Sequence, residues 1–144
     1  MVEQDTIKLL RECDAGVKMG VASIDDVLEY VKADPFKERL LTCKHEHEKL
    51  GLEIDSLLKE YKDEGKEPNP IAKGMSWMKT NMKISMDSRD SMIADLLTDG
   101  CDMGIKSLYG YLHEYHQADE EAQKLCNKLI AIEEELRKEL QQYL

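Results

Sequence analysis

Two polar side chains in this sequence interrupt otherwise apolar helical stripes, and two more stand at related positions further along. Asp14 fills the one gap in the series Ile7, Leu10, Val17, Val21, Ile24, Leu28 and Val31. His47 stands in the middle of Phe36, Leu40, Cys43, Leu50, Ile54, Leu57 and Tyr61. Asp102 follows Asp14 by 88 residues, and Glu135 follows Asp102 by the same 33 residues that separate His47 from Asp14. A carboxylate or imidazole on a buried face is costly unless it is paired. One solution is an Asp14–His47 hydrogen bond that fixes the register of two helices. The other is a cation held by Asp14, His47, Asp102 and Glu135, a donor set of three carboxylates and one imidazole that suits iron or manganese.

The remaining constellations are weaker. His45-Glu46-His47-Glu48 has the composition of a metal motif, but residues two apart on a helix point to different faces, so His45 is expected in solvent. His113 and His116 lie three apart near a helix end, where a positive ring favours the helix dipole and a surface metal is the alternative. Cys13, Cys43, Cys101 and Cys126 are far apart, form no Cys-x-x-Cys, and read as reduced core thiols. No Gly-rich phosphate loop or Gly-x-Ser-x-Gly elbow is present, which leaves nucleotide-binding and serine-hydrolase readings without support.

Long helices must position these residues. The two stripes above predict two helices joined by a tight turn at Ala33-Asp34-Pro35, with Asp34 as cap and Pro35 in the first turn. Gly65, Pro68, Pro70 and Gly74 then break helical structure, and Met75, Met78, Met82 and Met86 fit a short amphipathic helix within a long connection. A third helix is predicted from Asp87 or Ser88 through Ile93, Leu97, Cys101, Ile105, Leu108, Leu112 and Tyr115. His116-Gln117-Ala118 turns the chain into a fourth, carrying Ala122, Leu125, Leu129, Ile132, Leu136, Leu140 and Tyr143. The Glu133 to Glu139 run reads as its solvated face. No strand-length alternation competes. Two short turns separated by a connection that can reach about 40 Å make two antiparallel hairpins with one crossover.

The 144 residues are enough for one domain, 1-144, with a core of its own. With 30 acidic against 20 basic residues the formal charge is −10, which repels phosphate backbones and anionic leaflets, so no nucleic acid and no membrane partner is expected. No segment has the ~20 apolar residues of a membrane span, and a cytoplasmic protein is expected.

The third helix repeats the first. Cys13-Asp14-Ala15-Gly16-Val17-Lys18 returns as Cys101-Asp102-Met103-Gly104-Ile105-Lys106, and the second and fourth helices align less well at an offset of 89. This fits a duplicated hairpin, with chance similarity of short helical segments as the alternative. Gly16 and Gly104 each cost a helix about 1 kcal/mol relative to Ala, which suggests close approach between helices. With these two motifs, the short hairpins and the Met-bearing crossover, the chain resembles the ferritin-like superfamily, most closely its small bacterial members of unassigned function.

That resemblance implies an all-α four-helix bundle of two antiparallel hairpins. It also implies a di-iron site with a carboxylate on each of two helices and a Glu-x-x-His on each of the others. The sequence contains no Glu-x-x-His. Leu50 and Lys138 stand where the resemblance places the histidines, so the ordinary site is expected to be absent or degenerate. The expected function is a non-catalytic bundle without a cofactor that acts in self-association, as a homo-oligomer such as a dimer, or in binding a protein partner. The alternatives are an iron- or manganese-binding oxidoreductase using Asp14, His47, Asp102 and Glu135, and a helical scaffold in which Asp14 and His47 only set register.

Overall fold

The computed structural model describes residues 2–66 and 89–144. They form four α-helices, α1 Val2–Leu28, α2 Asp34–Glu60, α3 Asp90–Glu114 and α4 Glu120–Leu140, with a 3₁₀ turn at Gln141–Tyr143. No strand occurs among the described residues. The Met75–Met86 helix expected from the sequence, and the proposed start of the third helix at Asp87 or Ser88, lie outside them.

The stripes are the buried faces. Phe36, Leu40, Cys43, His47, Leu50, Ile54 and Leu57 are all buried on α2, as are Ile93, Leu97, Cys101 and Leu108 on α3 and Ala122, Leu125, Leu129, Leu136 and Leu140 on α4. Val31 is buried too, but in the turn after α1, because the helix stops at Leu28. Asp34 is not the cap expected of it. Ala33 holds the extended N-cap position with no side-chain cap bond, and Pro35 follows in the first turn. The free N–H groups of Lys32 and Ala33 donate instead to the Asp90 carboxylate at 2.8 and 2.9 Å, which ties the first turn to the start of α3. Asp119 does cap α4, accepting from Ala122 N–H at 2.9 Å.

These polar ties define the two ends of the bundle. At one end Asp90 meets the α1–α2 turn, and Phe36 stacks on Tyr143 with ring centroids 4.3 Å apart. At the other end Asp119 N–H donates to Thr6 Oγ1 at 2.8 Å, Gln117 N–H donates to Asp5 at 3.0 Å, and the Tyr61 hydroxyl reaches Asp119 at 3.4 Å. The end of α2 and the start of α3 are therefore at opposite ends, and these two helices run in the same direction. The interior consists of two apolar clusters, one around Leu9, Leu10, Leu58 and Leu129, the other around Ile24, Phe36, Leu40 and Ile93. On α2 their boundary falls between Cys43 and Leu50, and on α4 between Ile130 and Leu136. No helix among the described residues is long and apolar enough to cross a membrane.

Candidate functional site

His47 projects from α2 into that boundary and is 1% exposed. Its Nδ1 is 2.8 Å from the Cys43 carbonyl oxygen one turn earlier, and its Nε2 is 2.8 Å from Glu133 Oε1 on α4. Both neighbours are acceptors, so both ring nitrogens must donate, and the imidazole is held as its cation. Burial alone would lower its pKa. The hydrogen bonds to Cys43 and Glu133 and the charge of the Glu133 carboxylate outweigh it and push His47 up to about 10. The pair joins α2 to α4 through the middle of the bundle.

Two further residues complete the arrangement. Gly20 on α1 leaves the space that the ring occupies: a Cβ there would lie 2.5 Å from His47 Nε2 and 2.6 Å from Cδ2. Cys101 on α3 is pushed up strongly, first by burial and then by the charge of Glu133 and a hydrogen bond to it, so it stays a neutral thiol. The Glu133 carboxylate thus receives the imidazolium and lies against the thiol. All four helices contribute to this layer.

Asp14 makes a different set of bonds. After α2 the chain takes a left-handed step at Lys62 (φ 58°), Asp63 N–H returns to the Leu58 carbonyl at 3.0 Å, and Gly65 adopts φ 88° with its N–H on Asp63 Oδ1 at 2.8 Å. This turn delivers Lys66 N–H to Asp14 Oδ2 at 2.9 Å, and Lys18 Nζ reaches the same oxygen at 2.9 Å. Asp14, 6% exposed, therefore anchors the segment that leaves α2. A side chain at Gly65 would collide with it, since a Cβ there would lie 2.4 Å from Asp14 Oδ2.

The expected Asp14–His47 hydrogen bond is thus replaced by two separate couples, Asp14 with Lys18 and the Lys66 amide, and His47 with Glu133. Each ion reaches a nearer partner that the stripe alone did not reveal. The other two members of the quartet do not join them. Asp102 is exposed and pairs with Arg137, and Glu135 is exposed on α4. The α4 carboxylate that enters the interior is Glu133, two residues away, which on a helix is close to the opposite face. Among the described residues no group of three or more His, Cys, Asp or Glu side chains is arranged to hold a metal ion. His45, His113 and His116 are all exposed.

Sequence reasoning missed Glu133, Gly20 and Cys101 as partners. Glu133 did carry a signal: Leu129, Glu133, Leu136 and Leu140 keep the four-three spacing of the buried stripe. The glycines expected to bring helices together instead admit side chains of α4. A Cβ on Gly16 would lie 3.2 Å from Leu129 Cδ2, and one on Gly104 would lie 3.8 Å from Glu133 Oε2. No protein-family model, curated protein or solved structure matches this chain.

Proposed function

We propose that the protein is a non-catalytic helical bundle of the ferritin-like kind that acts by association, with another copy of itself or with a protein partner, through its outer helical surfaces. The observation that supports this reading is the saturation of its interior polar groups. Both nitrogens of His47 are committed, and Asp14 takes the Lys66 amide and Lys18. A general base or a metal ligand needs a lone pair to offer, and the imidazolium of His47 has none. An iron or manganese centre at Asp14, His47, Asp102 and Glu135 would require His47 to lose a proton and leave Glu133, and Asp102 and Glu135 to leave the surface.

The surface offers a place for association on α2. Leu52 is 72% exposed, and Leu41, also exposed, lies three turns before it on the same line of the helix. The parallel course of α2 and α3 fits two hairpins with one crossover, the topology of ferritin-like bundles. Sedimentation velocity over a hundredfold concentration range tests the reading. A dimer that Leu52→Glu dissociates supports self-association through α2. A monomer at every concentration that also recovers no specific protein partner refutes the association reading.

A further inference from the structure

Between α1 and α3 lies a cavity of about 300 Å³ whose walls are mostly apolar. On α1 its lining extends from Glu12 to Ile24, a rise of about 18 Å at 1.5 Å per residue, so the space is a long slot. Gly16, Met19 and Gly20 form one side, Gly104 and Leu108 the other, and Leu129 of α4 the floor. The missing side chain at Gly104, where a Cβ would meet its nearest described neighbour only at 3.8 Å, leaves room on the α3 wall. This volume falls at the lower end of sites that take small organic molecules, and apolar cavities of comparable kind accept uncharged apolar guests.

The charged groups that border the slot decide which guest. Among the described residues there are two acids and two bases, and they are paired with one another: His47 with Glu133 at 2.8 Å, and Lys66 with Glu12. Tyr111 is pushed up to about 12, first by burial and then by the Glu12 carboxylate. A carboxylate guest would find each cation occupied and a chain of charge −10 around it. An ammonium guest would find each carboxylate occupied. Ser23 and Ser107 at the wall leave hydroxyls for one neutral polar group.

We infer that the slot between α1 and α3 binds an uncharged, elongated, mainly apolar small molecule carrying at most a hydroxyl or carbonyl group. This site is independent of association through α2, and sedimentation does not report on it. The test uses the full chain with the neutral fluorophore N-phenyl-1-naphthylamine, competed by 1-decanol, decanoate and decylammonium at pH 8. The expected result is saturable fluorescence that decanol displaces at a concentration at least tenfold below that of either charged competitor. Gly104→Leu, which extends a side chain into the slot from a position where a Cβ meets its nearest neighbour only at 3.8 Å, is expected to weaken probe binding at least tenfold. Ser107→Trp at the rim should do the same, and Glu135→Gln on the exposed face of α4 should bind as the parent does, all three with the helical circular dichroism of the parent. Absence of saturable binding, equal displacement by the charged competitors, or full binding by both slot variants overturns the inference. So does a signal that appears only when residues 67–88 are replaced by a Gly-Ser linker, which would assign the slot to the chain itself.

Discussion

Alanine in place of glycine should have opposite signs at two positions of this bundle. In an exposed helix interior Ala is better than Gly by about 1 kcal/mol, because it restricts the unfolded chain and loses no contact. Gly110 on α3 meets that condition, since a Cβ there finds nothing within 4 Å. Gly110→Ala should therefore stabilise by about 0.5–1 kcal/mol. At Gly20 the same methyl would lie 2.5 Å from His47 Nε2. The ring cannot retreat freely, because Nδ1 is held by the Cys43 carbonyl and Nε2 by Glu133, each at 2.8 Å. Overpacking of this kind costs about 1–3 kcal/mol. Displacing the ring from Glu133 costs more, about 3–5 kcal/mol, because the buried imidazolium loses its counter-ion. After the helix-propensity gain, Gly20→Ala should destabilise by about 2–4 kcal/mol. Urea unfolding followed by circular dichroism, with both variants at the same slope, measures the difference. If Gly20→Ala stabilises the protein as Gly110→Ala does, the imidazole does not fill the space beside Gly20.

Other perturbations follow from the same bonds. Asp90→Ala removes the acceptor of two amides in the α1–α2 turn and should cost about 1–2 kcal/mol in the same unfolding assay, the loss a missing helix cap produces. Asp14→Ala should cost about 1–3 kcal/mol by leaving the Lys66 amide without its acceptor, whereas Asp102→Ala and Glu135→Ala, both on the surface, should stay within about 0.5 kcal/mol of the parent. The pH dependence has a fixed sign. A histidine raised from about 6.5 to about 10 contributes stability that is complete below pH 6.5 and is lost as pH rises through 10. The parent should lose stability between pH 7 and 9.5 more steeply than His47→Gln, and equal slopes in urea unfolding would contradict the ion pair.

How much of this was legible in the sequence depended on the distance over which a residue acts. Helices were readable because Phe36, Leu40, Cys43 and their successors repeat at three and four, and burial follows that period directly. The burial of Asp14 and His47 was readable for the same reason. Their partners were not. The stripe specifies which face of a helix is inward, but Glu133 meets His47 from another helix, and Lys66 meets Asp14 only because a turn with positive φ at Lys62 and Gly65 redirects the chain. The repeat misled in one respect. Asp102 copies Asp14 in sequence, yet Asp14 is buried under the segment after α2 while Asp102 lies in solvent beside Arg137. Likeness of local sequence does not carry over the surroundings that a third element supplies.

The buried histidine, His47, is a cation locked to a carboxylate, and so a structural tie without a lone pair for catalysis or metal binding. Nitrogen-15 NMR of the imidazole rings across a pH series tests it directly. His47 is expected to keep two protonated ring nitrogens from pH 6 to beyond 8.5, and Glu133→Gln to bring the His47 transition down by more than one pH unit. A His47 ring that is neutral at pH 7, or one whose titration is unmoved by Glu133→Gln, would contradict it.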